Sequence, residues 1–112
     1  MKPNKVFSML GLATKAGRTA SGEFMTEKSV KEGSAYLVIV GTDASANTKK
    51  NFRNMCEFYK VPYFEYGTKE ELGRAIGMDM RSIIAITEEG FAKKLKQLAD
   101  DMIENRTKVG ED

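Results

Sequence analysis

Residues 35–40 read Ala-Tyr-Leu-Val-Ile-Val, nearly continuous in apolar, β-branched or aromatic side chains. A strand of that composition is covered on both faces, so it belongs in the middle of a sheet with helices above and below.

The rest of the chain supplies those helices. Residues 4–16 read as a helix with Val6, Phe7, Leu10 and Ala13 on one side, ended by Gly17. A short extended piece over 18–20 leads through Ser21 and Gly22 into a second helix, 23–32, with Gly33 as its stop. After a loop over 41–45, Ser45 or Asn47 caps a helix with Phe52, Met55, Cys56 and Tyr59 at core spacing, and Pro62 breaks off its trailing segment. A shorter strand spans 63–66. Thr68 with Glu71 forms a capping box for a helix that carries the run 72–76 and stops at Gly77. The strand 82–86 follows. Thr87 with Glu88 and Glu89 marks the start of a last helix, 89–104, whose buried stripe is Phe91, Leu95, Leu98, Met102 and Ile103. The expectation is one α/β layered domain over residues 1–106 and a disordered tail over 107–112, which has no apolar anchor.

Composition narrows the chemistry. There is no histidine or tryptophan and a single cysteine among 112 residues, so triads, His-ligated metals and paired-cysteine sites are excluded. No segment approaches the roughly 20 apolar residues that span a bilayer, and no export signal opens the chain, so a soluble cytoplasmic protein without a membrane partner is expected. The net charge of +2 is small, but residues 1–53 carry nine Lys or Arg against four Asp or Glu. Binding to phosphates depends on such local excess more than on the total.

The candidate catalytic groups reduce to structural ones. No glycine falls in a GxxxxGK[ST] or GxGxxG pattern, which removes support for nucleotide chemistry. Glu70 and Glu71 point apart in a helix's first turn and favour the helix dipole; Asp43 reads as a turn or capping residue, and Cys56 as a small core hydrophobe. No enzyme and no cofactor are expected.

Two segments remain. Residues 77–81 (Gly77, Met78, Asp79, Met80, Arg81) should be a solvated polar loop, yet offer two thioethers beside an arginine, which marks a contact surface. The turn Ser21-Gly22 opens a helix through Glu23, Phe24 and Met25, with Lys28 and Lys31 along one side; a glycine turn admits close backbone approach, and open amides at a helix start favour phosphate.

The pattern resembles the bacterial YlxQ-type branch of the kink-turn RNA-binding ribosomal protein superfamily. The resemblance rests on Leu10-Gly11-Leu12-Ala13, Lys15-Ala16-Gly17, Ser21-Gly22-Glu23, Leu37-Val38-Ile39-Val40 and Thr42-Asp43-Ala44-Ser45-Ala46-Asn47-Thr48. It continues in Tyr59-Lys60-Val61-Pro62-Tyr63, Glu71-Leu72-Gly73-Arg74-Ala75-Ile76-Gly77 and Gly90-Phe91-Ala92. It implies a three-layer α/β/α sandwich with a small mixed sheet of about four strands. It also implies RNA gripped between the helix start 22–28 and the apolar loop 77–81. Where many relatives carry asparagine and then glutamate or glutamine after the glycine turn, this chain has Phe24 and Met25, which cannot reproduce polar contacts to base edges; Lys28 matches the family's lysine.

The reading is a non-catalytic, monomeric, ribosome-associated RNA-binding protein. In it Lys15, Arg18, Lys28 and Lys31 meet phosphates, Met78 and Met80 pack on an unstacked nucleotide, and Arg81 stacks or pairs. The alternative is a protein-interaction module in ribosome assembly or translation, with the methionine loop docking a partner protein.

Overall fold

In a computed structural model, the backbone is described for residues 4–111 and the side chains for residues 4–101. Five helices alternate with four strands: α1 Lys5–Lys15, β1 Thr19–Ser21, α2 Glu23–Lys31, β2 Leu37–Val40, α3 Ala46–Tyr59, β3 Tyr63–Glu65, α4 Lys69–Ala75, β4 Ile83–Ile86 and α5 Glu89–Glu111. The sheet order is β1-β4-β2-β3; β2 and β3 run parallel, while β4 is antiparallel to both β1 and β2.

The central strands explain the layering. Every residue of β2 and β4 is buried. Strand periodicity sends Leu37, Ile39, Ile84 and Ile86 to one face, where Val6 and Leu10 of α1, Leu72 of α4 and Leu95 of α5 close over them. Val38, Val40, Ile83 and Ala85 face the other way, against Val30 of α2 and Phe52 and Cys56 of α3. The expected α/β/α sandwich with a four-stranded mixed sheet is the observed one. Burial holds the Cys56 thiol at a pKa of about 11, so it stays protonated as a core side chain.

Local chemistry sets most boundaries. Asn4 and Ser45 cap α1 and α3, and Thr68 and Glu71 complete the capping box of α4. The structure departs from the sequence reading at two ends, those of α3 and α5. α3 stops at Lys60, whose left-handed φ of 61° turns the chain before Pro62 is reached, and Tyr59 is exposed instead of buried. α5 starts at Glu89, as expected, and the Glu88 carboxylate caps it, accepting the amides of Gly90 (2.8 Å) and Phe91 (2.9 Å). α5 continues to Glu111, past residue 104, through a segment that holds no proline to break it. The expected stripe residues Met102 and Ile103 and the expected tail at 107–112 lie outside the residues whose side chains are described.

The Glu88 cap carries a pH signature. Donation from the Phe91 and Gly90 amides holds its carboxyl below the ordinary carboxylate value. Its contribution is therefore complete above the unfolded-state pKa and is lost as pH falls through the lowered folded-state value. Urea unfolding at neutral pH and near pH 3 is expected to show a smaller acid-induced loss in Glu88→Gln than in the parent; equal losses remove Glu88 from the acid limb.

Candidate nucleic-acid interface

β1 and β4 pair with Ser21 opposite Ile84, and the Gly22 amide donates to the Ile83 carbonyl at 3.0 Å. The β1–α2 turn and the segment leading into β4 therefore share one end of the sheet. Gly22 sits at φ 91°, ψ 161°, a conformation that glycine alone adopts without strain, and no side chain caps the helix it opens. The first-turn amides of α2 are left to solvent or to a ligand.

Ser21 ties the two segments together. Its hydroxyl donates to the Met78 sulfur at 3.8 Å and accepts from Arg81 Nε at 3.4 Å. The Arg81 guanidinium also donates to the Met80 carbonyl (3.0 Å) and the Met78 sulfur (3.3 Å). A planar cation is thus held against the Met78 thioether, with Met78 48% exposed and Met80, the residue before Arg81, 58% exposed. Phe24 (79%) and Met25 (45%) stand in the adjoining first turn of α2.

Backbone contacts fix the loop. The Met78 amide donates to the Gly73 carbonyl at 2.8 Å and the Arg81 amide to the Lys69 carbonyl at 3.1 Å, so residues 77–81 lie against α4. Asp43, on the neighbouring β2–α3 loop, accepts the Lys69 amide at 2.8 Å, which is the capping role its sequence position indicated.

The cations expected in the site divide by position. Lys28 is exposed on α2 and has no ion-pair partner among the described residues. Lys31 lies three residues, about 4.5 Å, beyond Lys28 along the helix axis. Its ammonium is engaged by Glu27 at 2.9 Å, which raises its pKa. Arg18 and Lys15 stand at the opposite end of β1, where the Arg18 carbonyl accepts the Thr87 amide. The structure brings together Gly22, Glu23, Phe24, Met25, Met78, Asp79, Met80 and Arg81, with Gly77 and Lys28 close in sequence, and separates Lys15 and Arg18 from them; Lys31 stands one turn beyond Lys28 with its charge paired to Glu27.

Three contributors escaped the sequence reading. Thr48 donates to the Glu23 carboxylate at 2.6 Å across α2 and α3, and nothing local in the sequence announces it. Ser21 was visible only as a turn residue. Gly73 had a signal, since glycine inside a short helix is unfavourable unless something packs on it.

A parallel-antiparallel sheet between two helical layers, with a turn and an apolar loop gathered at one end, defines an α/β/α binding scaffold with no grouping of metal-ligating side chains among its described residues. The model of the ribosomal protein L7Ae/L30e/S12e/Gadd45 family matches residues 4–96, and the chain belongs to that family. It is 43% identical over 94 residues to the RNA-binding protein YlxQ of Bacillus subtilis, covering 84% of this chain and 94% of that protein. A solved protein of unknown function from Bacillus halodurans C superposes with a TM-score of 0.86 at 39% identity, over 88% of this chain and 99% of that one. The fold also matches the 15.5kD RNA binding protein of Giardia lamblia, TM-score 0.72 at 24% identity, over 83% and 86% of the two chains.

Proposed function

We propose that this chain is a non-catalytic RNA-binding protein that takes structured RNA, ribosomal RNA among the candidates, against the end of the sheet where the β1–α2 turn meets residues 77–81. The observation that carries the reading is the Ser21–Arg81–Met78 arrangement. It presents a guanidinium and two exposed thioethers next to an uncapped helix start, which is a phosphate-binding and a base-covering element side by side. The family membership and the name of the Bacillus subtilis relative support RNA as the partner. Cytoplasmic residence goes with that partner. Among the described residues no helix is long and apolar enough to cross a membrane.

Gel shifts of a sharply bent RNA and a straight duplex of equal length, at several salt concentrations, test the reading. Tighter retention of the bent RNA supports it, and equal retention of both reduces the site to nonspecific phosphate contact. Lys28→Ala is expected to weaken binding and to lower the slope of log affinity against log salt by about one unit. An unchanged slope takes Lys28 out of the interface.

A further inference from the structure

We infer that Phe24 is a base-stacking residue, so that the first turn of α2 holds the face of an unpaired nucleobase and reads no base edge. The inference rests on the RNA-binding reading and adds what kind of nucleotide this turn accepts.

The side chains of that turn leave little else for it to do. Glu23 accepts the Thr48 hydroxyl at one carboxylate oxygen (2.6 Å), which draws it toward α3. Phe24 has no donor or acceptor, and the thioether of Met25 is a weak acceptor at best. The side chains of Phe24 and Met25 therefore offer no strong hydrogen bond to a base edge. The Phe24 ring, however, is 79% exposed, more than any other large hydrophobic side chain described. It contributes nothing to either hydrophobic core.

The occupant follows from the neighbours. Lys28 lies one turn further along the same face, exposed and without an ion pair among the described residues. Arg81 is anchored on Ser21, two residues before Glu23, with Met78 beside it. A flat apolar face flanked by two cations matches a nucleotide, whose base is flat and whose phosphate is anionic. A purely apolar protein partner would leave both charges unanswered. Stacking on an aromatic ring tolerates any base, so discrimination at this turn falls on whether a base is unpaired and not on which base it is.

The chain contains no tryptophan, so Phe24→Trp introduces a single fluorescent reporter at the position in question, and its high exposure lets the domain accept the substitution. Fluorescein-labelled RNA duplexes with and without an internal bulge of unpaired nucleotides serve as probes, with anisotropy measuring binding independently. Phe24→Trp is expected to bind the bulged RNA and to lose tryptophan emission on titration with it. Phe24→Ala is expected to bind it about tenfold more weakly, and an abasic bulge should erase that difference between the two proteins. Changing the identity of the bulged bases should leave the Phe24→Ala penalty in place. Unchanged tryptophan emission while anisotropy reports saturation overturns the stacking role and leaves RNA binding standing. Absence of binding by the parent itself defeats the underlying reading.

Discussion

Gly73→Val is expected to unseat residues 77–81 and to cost about 3 kcal/mol of stability, near the upper end for overpacking a well-filled site. A Cβ at Gly73 would overlap the Asp79 carbonyl oxygen, with the Asp79 carbonyl carbon 2.6 Å away and Met80 Cα at 3.1 Å. All three are backbone atoms, which cannot rotate aside. Helix propensity favours any other common residue over glycine by up to about 1 kcal/mol, so the clash must exceed that gain before stability falls. Relief comes only by lifting the loop off α4, which breaks the bond from the Met78 amide to the Gly73 carbonyl and withdraws Met78 from Ser21. Binding should then fall by at least about tenfold, because Arg81 and both thioethers ride on the displaced segment.

Gly11 is the internal control for that result. A Cβ there meets only the Ala75 carbonyl oxygen at 3.1 Å, a contact that a shift of a few tenths of an ångström relieves. Gly11→Ala should stay within about 1 kcal/mol of the parent, since the gain in helix propensity offsets the tightness. Denaturant midpoints of the two variants, read with RNA titrations, decide the matter. If Gly73→Val unfolds at the same midpoint as the parent and binds equally well, the loop is not seated through α4.

What the sequence disclosed follows the range over which each interaction acts. β2 was legible because four consecutive buried side chains need no partner to be recognised, and the capping box of α4 because both its members lie within one turn. The end of α3 was misplaced because Lys60, a residue with no special turn preference, adopts the left-handed conformation two residues before Pro62. The start of α5 was legible from Thr87, Glu88 and Glu89, and the folded chain adds that it is the Glu88 carboxylate that takes the first amides. The site divided along the same line. Residues 77–81 and 22–25 were each visible as local oddities, and strand pairing joined them. No local pattern showed that Arg18 and Gly22, at the two ends of a three-residue strand, face opposite ends of the sheet. The same limit hid the loss of Lys31's free charge to Glu27, a pair that spacing allowed but did not require.

Met80→Asp is expected to reduce RNA affinity by about a hundredfold while leaving the unfolding midpoint within about 0.5 kcal/mol of the parent, as for an exposed position outside the core. Met80 is 58% exposed and belongs to neither buried cluster, so its removal takes little from folding. In the complex the loss has two parts. The apolar surface that would cover a base is gone, and a carboxylate joins Asp79 next to the guanidinium that the proposed site directs at phosphate. Neutralising Arg81 in this way removes a cation where the ligand carries its charge, so the deficit should shrink in high salt as every phosphate contact weakens. Met80→Leu separates the two parts, because it keeps the apolar surface and adds no charge; its affinity should stay within about threefold of the parent. A Met80→Leu deficit as large as that of Met80→Asp would mean that the loop's conformation is what the substitution disturbs. If Met80→Asp instead lowers the melting transition along with the affinity, Met80 supports the fold and the loop is not a recognition surface.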